Sequence, residues 1–220
     1  MDCANELIFD GNIDSRPRGF PLEHIRDLST YVQNTSLPLH LVSSAKLGVV
    51  QALANHDPDV DGIYRLTQKL PLRFVSKKRM VVLAQGTLAP YNAQATLHAY
   101  RALWALLLPT TVHGRVSDIW RSLIFQRIMW QTGLRVAFTA AFVDQFRNAH
   151  DYLDDFDAEL PLYLKAGSLS RFLLSWAPQN QNSVPELIEA LFIELFEIGV
   201  LEISDVGLCQ AWISDLLALG

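Results

Sequence analysis

A stretch near the middle of the chain, VHGRVSDIWRSLIFQRIMW, gathers His113, Arg115, Asp118, Trp120 and Arg121 where a loop enters a helix. Asp118 in such a place can accept a proton from an incoming hydroxyl. Trp120 can stack on a sugar face, and Arg115 or Arg121 can hold a phosphate or neutralise leaving-group charge. The plainer reading of the same residues is an Asp that caps the helix, a buried Trp and two surface arginines. A second candidate is Asp59-Val60-Asp61, on a loop after an apolar stretch. Carboxylates two apart in extended chain point the same way and can hold a divalent cation with a diphosphate. An Asp-Pro-Asp segment equally makes ordinary turns and caps.

Three further groups carry weaker signals. His56 stands beside Asp57 and Asp59 as either a ligand or a solvated loop residue. Arg16, Arg18, Gly19 and Pro21 form an anion site or a turn into the next element. Asp151, Asp154, Asp155 and Asp157 lack the spacing and glycine of an EF-hand, which favours a solvated face over calcium. No Gly-rich phosphate loop, serine-nucleophile motif or zinc motif is present.

The elements that must position these residues follow from periodicity. Apolar and β-branched residues over Leu47–Leu53 lead into an Asn, Asp and Pro cluster, as an element ending in a loop does, and Arg79–Leu83 predicts a buried strand. Ala93–Leu107 and Ser117–Thr132 carry helical spacing, stopped by Pro109 and Gly133, with Ser117 and Asp118 suited to a helix N-terminus. Arg135–Phe142 is short and apolar, which predicts a strand in a mixed sheet. The acidic run after it reads as a solvated loop or helix start. Ser168–Trp176, Val184–Gly199 and Asp205–Leu219 predict three closing helices. The expected organisation is one α/β domain, with residues 1–165 forming its sheet part and 166–220 a C-terminal helical appendage.

Composition narrows the function classes. Of 220 residues half are hydrophobic and 19% charged, enough to bury one sizeable core, and the net charge of -5 comes without any basic run able to track a phosphate backbone. Nucleic acid is therefore not an expected partner. Cys3 and Cys209 lie at opposite ends and make neither a disulfide framework nor a zinc site. The first residues lack the basic and apolar segments of a targeting peptide, and the longest apolar runs fall short of a bilayer crossing or are broken by charge.

Four blocks, taken in order, carry a resemblance: PRGFPLEHIRD (Pro17 to Asp27), LGVVQALANHDPDVDGIYRLT (Leu47 to Thr67), the long segment from Ala89 to Trp130, and the closing DVGLCQAWISDLLALG. Together they resemble the STELLO family of glycosyltransferases, long catalogued as a domain of unknown function, over nearly the whole chain. The resemblance implies an α/β fold like that of the nucleotide-diphospho-sugar transferases, incomplete here. The strands that build the nucleotide pocket in such folds would precede the family's acidic run. It also implies transfer of a sugar from a nucleotide-sugar donor to a glycan or protein acceptor. The plant members are Golgi proteins linked to cellulose synthase assembly, so a Golgi membrane location is expected by resemblance, through an anchor outside this chain.

In the family pattern a run of three acids precedes Asn-Glu-Leu. That run falls on Asp2, Cys3 and Ala4, so Asp2 is the acid left to hold the manganese or magnesium ion of the complete family. What remains corresponds to the acceptor side. Asp118 is then the expected catalytic base, with Arg115, Trp120 and Arg121 around the sugar and Asp59, Asp61 and Arg65 on a second polar loop. Two alternatives stand beside this one. One is a non-catalytic relative acting in assembly or trafficking of a Golgi protein complex, suggested by Cys3 and Ala4. The other is a glycoside hydrolase using Asp59 and Asp118 as its carboxylate pair.

Overall fold

The computed structural model describes residues 16–25, 42–74, 80–179 and 183–219. Asp2, Cys3, Ala4 and Arg79 lie outside them. Strand β1 (Leu47–His56) is the spine of a four-stranded sheet of order β2-β4-β1-β3, in which β1 runs parallel to β4 (Arg135–Gln145) and antiparallel to β3 (Thr96–His98). The short β2 (Val81–Val82) closes the other edge, antiparallel to β4. The sheet is mixed, as expected. With a neighbour on each side, β1 buries residues on both faces, which suits its near-continuous apolar sequence. The β1–β4 register slips between Ala52 and Ala54, which oppose Thr139 and Val143, so β4 bulges outward there and leaves Phe142 exposed.

Helix α2 (Gly114–Thr132) precedes β4 and lies in the heart of the molecule, buried at every position from Val116 to Met129 except Asp118. A helix apolar over most of its circumference has to be covered on several sides. The sheet, the segment 88–107 and helices α4 (Leu160–Ser175) and α5 (Val184–Glu197) supply that cover. Helix α5 presents Leu187, Ile188, Leu191, Phe192 and Leu195 as one stripe, with the Phe192 ring 6.0 Å from that of Phe125. It starts at a full capping box between Ser183 and Glu186. Helix α6 (Ile203–Leu219) packs on α5 and seats Val206 and Cys209 in the interior. No helix among the described residues is long and apolar enough to cross a membrane.

One expected helix is not formed. After a bend at residues 93–95, Thr96, Leu97 and His98 pair as a strand with Gln51, Val50 and Val49, and Tyr100–Leu106 follow as a 3-10 helix. The apolar repeat misled because Leu97, Tyr100 and Leu106 face solvent, whereas Ala102 and Ala105, one 3-10 turn apart, are buried. The acidic run forms a real helix, α3 (Tyr152–Ala158), capped by Asp151, whose side chain accepts from Leu153 N. The sixth helix, α1 (Gly62–Thr67), directly follows the Asp-rich loop.

Candidate functional site

Arg18 organises the polar centre. It sits in a turn whose next residue, Gly19, has φ +83°, and a Cβ there would lie 2.3 Å from Ile119 Cγ2 of α2. Only glycine fits both the left-handed backbone and the close approach. The turn directs the Arg18 guanidinium between two carboxylates. Nε and Nη2 donate to Asp59 Oδ2 at 3.0 and 2.8 Å, and Nη2 lies 3.1 Å from each Asp118 oxygen. Nη1 reaches the Arg115 carbonyl. Burial alone would raise the Asp59 carboxyl, but Arg18 and Arg147 against it outweigh that and hold it below the usual carboxylate range. Arg18 is likewise held above its ordinary value, burial being overcome by Asp59 and Asp118.

The network spreads from this pair through further arginines, Arg65 buried and Arg147 and Arg115 partly so. Arg147 donates to Asp59 Oδ1 at 2.9 Å, and Arg65 bonds Asp57 at 2.6 Å and the Pro58 carbonyl at 2.9 Å. Arg115 grips Glu159 through Nε and Nη2 at 2.8 and 2.6 Å and reaches Asp155 at 2.9 Å. Glu159 is fully buried and also accepts from Gly62 N and the Tyr163 hydroxyl, tying α1, α2 and α4 together. Asp61 caps α1 by accepting from Tyr64 N and faces Arg16 at 3.4 Å. Burial, only partly offset by Arg16, raises its carboxyl.

A third segment locks onto the exposed end of the network. Ala89 N, Tyr91 N and Ala93 N donate to Gln126, Ser122 and Asp118, which stand four apart along one face of α2. Pro90, Asn92 and Gln94 then line an open cleft together with Arg16, Gln51, Asp59, Phe74 and Phe138. Gln51 and Asn92 bond reciprocally, with Asn92 N donating to Oε1 at 2.8 Å and Gln51 Nε2 to Oδ1 at 3.1 Å. Buried amides fixed in this way over aromatic walls suit a small polar ligand.

The residues singled out in the sequence therefore divide. Asp59, Asp118, Arg115, Asp61 and Arg65 all belong to the ion-pair network, but of these only Asp59 lines the cleft. Asp118 lies in the second turn of α2, whose cap is His113, so it does not cap the helix; it holds Arg18 and the Ala93 amide. Trp120 is 1% exposed in the core, where its ring has no open face to offer a sugar, and Arg121 is buried apart from the cleft. His56 pairs with Asp144 at 3.6 Å and stacks on Phe146. Arg16 and Arg18 bind carboxylates of this chain rather than an outside anion.

Each acid of the network faces a guanidinium, and no group of three His, Cys, Asp or Glu among the described residues is placed to hold a metal ion. The described acids thus do not fit the cation expected from the family. Sequence reasoning missed Gln51, Asn92, Arg147 and Glu159, whose types are common and whose meeting needs the fold. For Arg18 the signal was available, since an arginine followed by a glycine in a Pro-rich turn marks a constrained backbone.

The chain is a mixed α/β domain with a cleft beside β1. Residues 115–220 match the STELLO glycosyltransferases as a family. The chain is similar to two Arabidopsis thaliana proteins, "Probable glycosyltransferase STELLO2" and "Probable glycosyltransferase STELLO1", each 31% identical over 222 residues covering 99% of this chain. The chain is thus similar in sequence to the STELLO glycosyltransferases, and it spans 28% of the length of those two proteins.

Proposed function

We propose that this chain forms the acceptor side of a glycosyltransferase that moves a sugar from a nucleotide donor to a glycan or protein. The observation that carries the reading is the cleft in which Gln51, Asn92, Gln94 and Arg16 offer fixed polar groups between Phe74 and Phe138. Sugars are bound by this combination, amide and charged groups for the hydroxyls and apolar walls for the ring faces. Asp59 is the acid placed to meet an acceptor hydroxyl, while Asp118, with both oxygens on Arg18, positions that guanidinium and the 89–93 segment. A cation serving the transfer would be held by acids beyond the described residues, with Asp2 the candidate named by resemblance. A divalent ion would there neutralise the developing diphosphate charge. The Golgi membrane is the location that fits a protein of this kind.

The test is saturation-transfer NMR of the chain with free monosaccharides and short glycans. Binding is expected, and Asn92→Ala with Gln94→Ala should weaken it about tenfold, the loss of one or two hydrogen bonds. Equal binding by that double variant would sink the reading.

A second reading has its own support. Asp59, the carboxylate that lines the cleft, is held by Arg18 and Arg147, and Arg18 stands between Asp59 and Asp118, where a hydrolase pair would need its substrate. That arrangement favours a relative kept for protein assembly over a glycoside hydrolase. Absence of any sugar binding together with complex formation by the longer protein would favour it.

A further inference from the structure

Charge is divided unevenly along this chain. Residues 1–171 hold all 18 lysines and arginines against 16 acids, whereas residues 172–220 hold seven acids and no lysine, arginine or histidine. The net charge of -5 therefore resides wholly in the segment that forms α5 and α6. Asp205 is buried against Thr110 and Thr111, and Glu186 is taken up in the capping box of α5. Glu189, Glu194, Glu197, Glu202 and Asp215 enter none of the ion pairs among the described residues.

The same surface is partly apolar. On the outer side of α5, Glu189, Ile193, Phe196 and Glu197 follow one another at helical spacing, with Ile193 38% and Phe196 39% exposed. Helix α6 extends the surface. Ile203, Gly207 and Gln210 stand at i, i+4 and i+7 on one side of α6, and Gln210 Nε2 holds that side beside α5 by donating to Glu189 Oε1 at 2.8 Å. Ile203 is 63% exposed, and a Cβ added at Gly207 would meet nothing within 4 Å. The two helices thus frame an open apolar strip edged by carboxylates, with no side chain at Gly207 to obstruct it.

We propose that this strip docks a basic amphipathic helix of a separate protein, whose apolar face covers Ile193, Phe196 and Ile203 while its lysines or arginines reach the glutamates. Helix α5 has 14 residues and so offers about 21 Å, or about four turns, for a helix to lie along. The charge pattern selects this occupant. A symmetric second copy would bring the same acids against these acids, and anionic lipid or nucleic acid would be repelled. A permanent cover from the same polypeptide would make a core-like contact poor in charge. Carboxylates interleaved with apolar side chains belong instead to a surface that is solvated between encounters. The inference does not rest on sugar binding, because no residue of α5 or α6 lines the cleft.

The test is fluorescence anisotropy of the whole chain with two labelled helical peptides that share one leucine face and carry either lysine or glutamate on its flanks. The lysine peptide should bind with a Kd of about 10 μM, and the glutamate peptide about tenfold more weakly or worse. Ile193→Ser with Phe196→Ser should weaken the lysine peptide about tenfold. Glu189→Gln with Glu197→Gln should weaken it several-fold and flatten its salt dependence. Equal binding of the two peptides, or binding untouched by either double variant, overturns the inference. So does binding of phosphatidylserine vesicles as tight as that of the peptide, or a dimer in sedimentation that the Ile193→Ser, Phe196→Ser variant dissolves. The longer protein should bind the lysine peptide as this chain does, and loss of binding there would mean that its own remainder covers the strip and that the separate partner is wrong. Should a variant fail to fold, the wild-type comparison of the two peptides and the vesicles still decides.

Discussion

At the scale of single residues the molecule is governed by where its arginines find carboxylates. Arg18 bridges Asp59 and Asp118 at sites where all three side chains are largely buried, so removing the guanidinium strands two carboxylates. Arg18→Met is expected to cost about 3 kcal/mol in urea unfolding, with Arg147 still shielding Asp59 from a larger loss. Arg18→Lys should recover part of that, since an ammonium keeps the charge but cannot present Nε and Nη2 together. His98 supplies a pH signature. Burial first, and the Arg121 charge second, lower its pKa from 6.5 to about 4, so the folded ring stays neutral where the unfolded one takes up a proton. The stability that His98 contributes should therefore be lost as pH drops from about 6.5 to about 4, with no further change in that contribution below it. Calorimetry of His98→Gln should show a flatter profile in that window, and an unchanged slope would contradict the assignment.

At the scale of elements, two joints hold the site together. The turn at Gly19 sets Arg18 against α2, and Gly19→Ala meets both the positive φ and the Ile119 side chain. A loss of about 2 kcal/mol or more is expected, measured by denaturant unfolding, together with weakened sugar binding because Arg18 is displaced. The other joint is Asp205 at the start of α6, 1% exposed, which accepts from Thr110 N at 2.7 Å and from the Thr110 and Thr111 hydroxyls. Asp205→Ala leaves Thr110 N without that acceptor. It should increase hydrogen exchange at residues 110–113 and in α6 while leaving the 89–93 segment protected. Uniform loss of protection across both regions would mean that these elements do not open separately.

At the scale of the whole molecule, one central helix joins the layers. Helix α2 touches the sheet, α3, α4 and α5, and its polar residues serve separate tasks: Asp118 and Ser122 hold the 89–93 segment and Arg115 holds Glu159. The long match to the Arabidopsis relatives runs through this helix and the strands it positions. The chain accounts for 28% of their length, so a longer protein containing it should bind a nucleotide sugar if the remainder supplies the donor side. Calorimetry with and without manganese would measure that, and no heat in either condition would leave the assembly reading standing.

The sequence by itself determined the class, the mixed sheet, α2 with its Gly133 stop, β4 and the closing helices, and it marked Leu47–Leu53 as an element without its type, because these rest on local periodicity and punctuation that tertiary contacts reinforce. It also picked out Asp59, Asp61, Arg115 and Asp118, since charge beside apolar stretches is conspicuous in one dimension, and the family resemblance added Arg65. Only the tertiary structure decided what those charges face. Asp59 and Asp118 stand 59 places apart in the chain and meet through Arg18, 41 and 100 residues away from them. The same holds for the segment read as a helix at 93–107: pairing with Val49–Gln51 made Thr96–His98 a strand, and Tyr100–Leu106 follow as a 3-10 helix. Long-range pairing is what a one-dimensional pattern does not encode, and here it set Asp118 against Arg18 and Trp120 in the core.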